Sequence, residues 1–440
     1  IKTNGKADID LDKLAKGYSD FMGLPDKTQM SGHGRFDVDV DFSHPQTQYL
    51  KLQGHLTPFK LVSEGLPTIA EEKVTLNADI QRSPDGKHMT IKSAQVISNA
   101  LTLTANGNLD QVGKNKVFKA KGTVAPDLSL LSAWLKKSGK APLELTGKKA
   151  TPFTIELTSK GDRWEDPLKH LNFSGAVHVS SVQAFGLKLT PNDIPINIAG
   201  AAAGAKLESP ANGGQLSLVP AVDMRGEPFV LSFTKDLDIL KEVQITRGVT
   251  EGLLALIHPM FKDAVKPEGY MGLHMKHFKW PLAPDAKNKA SFAGSLKLNG
   301  VKLNSTPFLA GLLSMMRVKE RELNVGDQTI DFVAENGRLT CSPLTLIVGE
   351  YPLKMQGSFG FDKTLDFIAW VPITRGLVGK EAYQYLQGTT IKVPIRGTVS
   401  NPKFDEAALQ EATGSLVQQA LQKNLQKGVQ NLLENLLKKN

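Results

Sequence analysis

The 440-residue chain has very little cysteine, with Cys341 as its single thiol. One cysteine excludes an intramolecular disulfide framework and any metal site that needs several thiolates. Aromatic residues are also scarce, with four tryptophans and six tyrosines. This scarcity, together with the lack of a convincing carboxylate pair, disfavours a carbohydrate-binding or carbohydrate-degrading protein. The longest apolar stretches, such as 308–316, fall well short of the roughly 20 residues that span a bilayer, so the sequence predicts no transmembrane helix.

The usual catalytic and ligand-binding motifs are missing as well. Residues 200–206 superficially resemble a phosphate loop, but the lysine is displaced and Leu207 replaces the required serine or threonine, so we expect a turn there. His274 and His277 have helix-type metal spacing, yet they lie in an alternating strand segment, where we expect them to face opposite sides. Three aspartates share one strand face without the glycine-punctuated loop of a calcium site, which indicates a solvated outer face: Asp37, Asp39 and Asp41. The sequence therefore predicts a protein that is not an enzyme, with no catalytic residue, cofactor or metal ion.

Positive charge exceeds negative charge by a formal +9, from 53 lysines and arginines against 44 aspartates and glutamates. The excess is spread along the chain, whereas nucleic-acid binding needs clustered arginines with interleaved aromatics. We therefore expect a mild attraction to anionic surfaces, phospholipid membranes included, and no nucleic-acid partner. No basic and apolar leader precedes Ile1, so we expect a processed chain or a fragment, which leaves an upstream signal or anchor open.

The chain is rich in short segments that alternate apolar and polar residues, the pattern of strands with one buried face. Residues 35–42 alternate phenylalanine and valine with aspartate, and Pro402 is expected to end the run of strands. Two segments, 173–190 and 292–306, share a glycine-centred pattern that predicts a repeated hairpin. Further strands are predicted at 74–80, 91–105, 330–334, 339–348, 353–361, 365–371 and 391–395.

Helical periodicity interrupts the strands at five places. Asp127 is positioned to cap the second of these helices. The last helix carries a long apolar stripe, which we expect to cover a sheet end, a partner or a membrane surface. The five predicted helices lie at 10–22, 127–137, 250–262, 307–317 and 405–437.

A series of short motifs runs through the chain in a fixed order. They are Asp-Leu-Ser-Leu-Leu at 127–131, Gly-Ser-Leu-Lys-Leu at 294–298, Asn-Gly-Arg-Leu at 336–339, a strand pair at 357–365, and Gly-Thr-Val-Ser-Asn-Pro at 397–402. The order of these motifs, above all across residues 166 to 404, resembles that of the AsmA-like proteins of diderm bacteria, relatives of TamB.

The resemblance implies a mainly β protein with a few helices. Its long, curved antiparallel sheet would form a taco or half-pipe groove that is closed by the C-terminal amphipathic helix. It further implies a cell-envelope protein of the periplasm, anchored to the inner membrane by an N-terminal helix that this chain lacks. Phospholipid acyl chains would pass along the groove between the inner and outer membranes. We expect three regions: an N-terminal β-rich segment with two short helices (1–165), the AsmA-like β-groove region (166–404) and the amphipathic helix (405–440).

The late strands supply the candidate lipid contacts, on the assumption that their apolar members share the inner face. A one-residue bulge would move this set to the other face. An alternative function is that of a structural or assembly factor that docks outer-membrane proteins through a sheet edge and the terminal helix. An ordinary sandwich core without a ligand accounts for the same alternation. The candidate contacts are Phe292, Leu296, Leu298, Leu344, Leu346, Val348, Phe359, Phe361, Val393 and Ile395.

Overall fold

The strands form one large antiparallel sheet that is not closed into a barrel, which confirms the predicted mainly β class. The architecture comes from a computed structural model. It describes residues 1–15, 29–62, 68–137, 143–160, 167–233, 236–262, 264–304, 307–318 and 322–404, and eight residues between 407 and 418.

The chain divides into two compact units. Unit 1 comprises Ile1–Ala184, Lys188–Ser209 and Leu218–Ser232. Unit 2 comprises Phe185–Leu187, Pro210–Ser217 and Phe233–Asn440. The region boundaries expected near 165 and 404 stay a prediction.

Every strand pair whose register is defined is antiparallel. The first fourteen strands are β1 (Lys2–Asp10), β2 (Gln29–His44), β3 (Thr47–Val62), β4 (Ile69–Glu71), β5 (Val74–Arg82), β6 (His88–Ile97), β7 (Leu101–Val112), β8 (Asn115–Pro126), β9 (Leu143–Thr146), β10 (Thr151–Lys160), β11 (Leu171–Val179), β12 (Ser181–Ala184), β13 (Leu187–Leu189) and β14 (Asn192–Ala199). The later strands are β15 (Ala202–Ala205), β16 (Leu207–Ala211), β17 (Gly214–Leu218), β18 (Pro220–Asp223), β19 (Val230–Phe233), β20 (Leu237–Gln244), β21 (Val265–Pro281), β22 (Ser291–Asn304), β23 (Glu322–Glu335), β24 (Arg338–Val348), β25 (Tyr351–Gly360), β26 (Leu365–Pro372), β27 (Thr390–Thr398) and β28 (Asn401–Phe404).

Three α-helices of at least nine residues lie in the described part of the chain: Leu128–Lys137, Pro307–Met315 and Arg375–Leu386. No helix in the described ranges is long and apolar enough to cross a bilayer. A further helical segment at 247–257 contains a π-helical turn at its centre, and the short 3-10 helices are Pro167–His170, Pro259–Phe261 and Pro284–Lys289.

The helix predictions are confirmed in part. Asp127 caps the Leu128–Lys137 helix as expected, because its Oδ1 accepts a hydrogen bond from Ser129 N at 3.1 Å. Of the first predicted helix, 10–22, residues 11–15 are helical, Asp10 is the last residue of β1, and residues 16–22 lie outside the described residues. Most of the predicted terminal helix, 405–437, also lies outside the described residues. The Arg375–Leu386 helix was not predicted.

Three local predictions are wrong. Pro402 does not end the sheet but lies within β28, opposite Gly397; a proline is tolerated there because β28 pairs with β27 alone among the described strands. The predicted repeat of a hairpin fails, since 173–190 forms three short strands whereas 292–304 lies within the single strand β22.

The third wrong prediction concerns the two histidines of β21. The register shifts between Met275 and His277, so this bulge brings His274 and His277 to the same face of the sheet instead of opposite faces. They have different partners. His274 lies between Asp236 and Asp238, and His277 Nε2 lies 3.2 Å from Ser291 Oγ.

Candidate functional site

The ten candidate lipid contacts lie in unit 2, and strand register brings nine of them to one face of the sheet. In β22, for example, Leu296 is opposite Leu273 of β21 and Ile330 of β23. A second bulge, between Cys341 and Leu344 of β24, keeps apolar side chains on this face. Phe361, the tenth residue, follows β25, and its ring stacks 6.3 Å from that of Phe292.

Most of this face of unit 2 is packed protein core. Seven of the ten side chains have 0% exposure: Leu296, Leu298, Leu344, Leu346, Val348, Val393 and Ile395. A helical segment lies against the face, since Cys341 Sγ donates to Ile257 O at 3.2 Å. Beyond the end of β26, the buried Thr374 caps the Arg375–Leu386 helix and its Oγ1 donates to Met316 O at 2.6 Å. Burial raises the pKa of the Cys341 thiol to about 12, because the thiolate would lose its hydration.

One end of the unit 2 face departs from this pattern. Phe292, Phe359 and Phe361, the remaining three candidates, are only half-buried. Phe278 and Trp280 of β21 lie beside them and are half-buried as well, with a Phe278–Phe292 ring distance of 5.5 Å.

Unit 1 has an apolar face of a different kind, and its members form two continuous rows across the strands. Each row follows directly paired residues from strand to strand. Row 1 consists of Val38, Leu52, Ala78, Ala94, Ala105, Gly122, Phe153, Gly175, Ile196 and Ala205. Row 2 consists of Val40, Leu50, Ile80, Ile91, Gly107, Ala120, Ile155, Phe173, Ile198, Ala203 and Val222.

The two rows are accessible although they contain only apolar residues and glycine. Ten of the eleven row 2 residues are half-buried, and Leu50 is 36% exposed. In row 1 only Phe153, at 8% exposure, counts as buried. The equivalent face of unit 2 contains side chains at 0% exposure, so the same strand chemistry gives a packed core in unit 2 and an open apolar surface in unit 1.

The opposite face of the same strands is polar, so the accessible apolar surface is not a general property of unit 1. Between the two rows, on the other side of the sheet, Lys51 Nζ lies 3.9 Å from Asp79 Oδ2. The aspartates of β2 also lie there, in agreement with the solvated outer face predicted for them. The polar residues between rows 1 and 2 include Asp39, Lys51, Asp79, Asn106, Lys121, Thr154, Ser174 and Asn197.

Two buried clusters of unit 1 border the rows. Near the N-terminus, Leu11 packs with Phe36, Leu56 and Val74. The second cluster joins Leu128 to Val179 and Val182. Row 1 reaches the first cluster through Val38 and Leu52, whereas row 2 contributes no residue to either cluster. Row 2 is therefore the more accessible part of the apolar face.

Row 2 runs through eleven strands and ten interstrand spacings, which correspond to about 48 Å along the sheet. No charged side chain interrupts it. A surface with these properties can hold an extended apolar ligand by burial of its methylene groups, without directional contacts.

Alternation in the sequence predicts several strands of unit 1, but the predicted ligand contacts all lie in the late strands of unit 2. The signal that could have located the rows is the length of the connections, because tight turns join most of the early strands. Apolar helical segments occur between the late strands instead.

Comparison of the chain with family models, with curated proteins and with solved structures finds no match.

Proposed function

We propose that this protein is a non-enzymatic envelope protein that accommodates phospholipid acyl chains along the two apolar rows of unit 1. The observation that supports the proposal is row 2, an uninterrupted apolar surface that stays half-exposed across eleven strands. Apolar surface of this extent is unusual on a protein without an apolar partner. Burial of each ligand methylene group would contribute about 0.8 kcal/mol.

The length of row 2 supports movement of the ligand along the face. The hydrocarbon core of a bilayer is about 30 Å thick, so the acyl chains of one leaflet extend about 15 Å. A surface of about 48 Å is longer than one such chain, and no polar barrier in the row fixes a single position. An acyl chain can therefore shift along the rows at little energetic cost, as transfer between the inner and outer membranes requires.

The cellular setting in this proposal comes from the resemblance to AsmA-like proteins. It includes a groove-shaped sheet closed by the terminal helix, a periplasmic location and an inner-membrane anchor. The ten candidate contacts of unit 2 have two different roles in the proposal. The seven fully buried side chains act as the core that supports the sheet, and the half-buried phenylalanines are the ones a lipid can reach.

The alternative function, a structural or assembly factor for outer-membrane proteins, also has an observation in its favour. Strand β1 pairs with β2 alone among the described strands, and the residues of its first half are exposed. A free strand edge of this kind can pair with a strand of another protein.

A pair of matched variants tests lipid binding. Ile155→Asp and Ile198→Asp together introduce carboxylates on either side of Phe173 in row 2. The control variant carries Thr154→Asp and Asn197→Asp, which put the same two groups on the polar face of the same strands. Each protein is expressed in the bacterial periplasm, purified without detergent and extracted for lipid mass spectrometry.

The wild-type protein and the control variant are expected to carry phospholipid well above the level of an unrelated purified protein. The row 2 variant is expected to lose at least four-fifths of it, because a carboxylate cannot be buried against an acyl chain without neutralisation. A folded row 2 variant with unchanged lipid content contradicts the proposal. Aspartates at Leu296 and Leu346 are unsuitable for this purpose, since both side chains have 0% exposure and the change would test folding.

A further inference from the structure

The half-buried end of the unit 2 face is an aromatic cluster. It comprises Phe233, Phe278, Trp280, Phe292 and Phe361. Neighbouring rings lie 4.4 Å apart for Phe233 and Phe278, 5.6 Å for Trp280 and Phe361, and 6.3 Å for Phe292 and Phe361. All five side chains retain solvent exposure, so they form a surface with an apolar body and not a closed core.

Three turns lie next to the aromatic cluster at the ends of its strands. The first, 282–290, follows β21 and contacts the second, 336–337, since a Cβ on Gly337 would lie 2.7 Å from Asn288 Oδ1. The third begins at Phe361, whose N donates to Gly337 O at 2.8 Å. Leu282, two residues after Trp280, is 50% exposed. The cluster and its three turns together form a rim of unit 2 that contains the half-buried Trp280 and the exposed Leu282.

The charged groups of this rim are mainly cationic. Within residues 279–290, 335–338 and 361–364 there are five basic side chains and three carboxylates. Asp362 is ionised, because the backbone N and the hydroxyl of Thr364 donate to its carboxylate and hold its pKa below the usual value, so the formal charge of the rim is five positive against three negative. The basic side chains are Lys279, Lys287, Lys289, Arg338 and Lys363.

We propose that the aromatic cluster and its three turns dock unit 2 onto an anionic bilayer surface. Tryptophan is suited to the boundary between acyl chains and headgroups, because it combines a large apolar ring with a polar N–H group. Leu282 would enter the acyl region, and lysines near an anionic surface strengthen binding about fivefold each. The choice of a bilayer as partner rests on the proposed lipid function, but the docking surface shares no residue with rows 1 and 2.

Vesicle flotation with the full chain tests this docking surface. The vesicles contain equal parts of phosphatidylglycerol and phosphatidylcholine, and vesicles of phosphatidylcholine alone serve for comparison. The test variants are Leu282→Asp and the double variant Lys287→Glu with Lys289→Glu. The matched controls are Leu256→Asp, at a leucine of unit 2 that is 54% exposed, and Lys297→Glu with Lys392→Glu on exposed strand positions.

The wild-type protein and both controls are expected to float with the anionic vesicles, and each test variant is expected to bind at least tenfold more weakly. The wild-type protein should also bind the neutral vesicles at least tenfold more weakly. Equal binding by test and control variants overturns the docking surface, as does equal binding to both kinds of vesicle. Lipid mass spectrometry of the Leu282→Asp variant separates the two proposals. If rows 1 and 2 bind acyl chains independently of the docking surface, this variant retains its bound lipid although it no longer floats. A lipid-free wild-type protein that still floats retains docking and rejects acyl-chain binding.

Discussion

His258 makes the stability of unit 2 sensitive to mild acid. Its ring has 0% exposure and lies edge-on to Phe367, with ring centroids 5.2 Å apart. Nδ1 accepts a hydrogen bond from Met260 N at 3.3 Å, so the neutral ring carries its proton on Nε2. This Nε2 has no hydrogen-bond partner among the described residues. Burial lowers the pKa of His258 from 6.5 to about 3, because a buried imidazolium would lose its hydration.

The size of the effect follows from proton linkage. Between pH 6.5 and 3 the unfolded chain binds a proton at His258 and the folded protein does not. The free energy of unfolding therefore decreases as the pH falls below 6.5, by about 1.4 kcal/mol per pH unit. At pH 5 the expected loss is about 2 kcal/mol relative to pH 8, a large part of the net stability of a typical domain.

Urea unfolding at pH 8 and pH 5 measures this loss. Trp280 and Trp370 report on unit 2 by fluorescence once Trp134 and Trp164 are replaced by phenylalanine. In that background His258→Asn is the informative variant, since asparagine stays neutral and its Oδ1 can still accept from Met260 N. Every other titrating group is common to both proteins. The wild-type protein should lose about 2 kcal/mol more than the variant between the two pH values, and equal losses would refute a buried imidazole that stays neutral at pH 5.

Two further predictions concern unit 1 and are also measured by urea unfolding. Glu71, at 6% exposure, accepts three hydrogen bonds from residues 98–100; Glu71→Gln is expected to cost about 1–3 kcal/mol, and a loss equal to that of the exposed Glu72→Gln would contradict it. Gly122 lies in row 1, where a Cβ would be 1.8 Å from a carbonyl oxygen of the neighbouring strand. Gly122→Ala should cost about 1–3 kcal/mol, whereas Gly5→Ala, with open space around the new methyl group, should change stability by less than about 0.5 kcal/mol.

Alternation in the sequence predicts which residues of a strand share a face, and the late strands show where such a prediction succeeds and where a β-bulge defeats it. Leu344 and Leu346 of β24 lie on the apolar face as expected, but the bulge before Leu344 is set by backbone geometry that alternation does not encode. The same limit explains the wrong prediction for His274 and His277. The Arg375–Leu386 helix escaped prediction because it contains a non-helical residue at Gly379, where φ is +78°, so its apolar residues do not follow one helical period.

Alternation does not determine whether an apolar face is buried. Burial also requires a segment of the chain that can pack over that face. In unit 2, long connections between strands fold into helical segments whose own leucines, such as Leu254, Leu309 and Leu312, reach 0% exposure. In unit 1, the described connections from β2 to β8 are turns and short links, too short to form a helix that could cover the strands between them. Alternating strands joined by tight turns must therefore obtain their apolar cover from a distant part of the chain or from a ligand. The short connections of unit 1, and not the alternation itself, direct the search for a lipid-binding surface to the early strands, whose row 2 residues pair onward to Ile155 and Ile198.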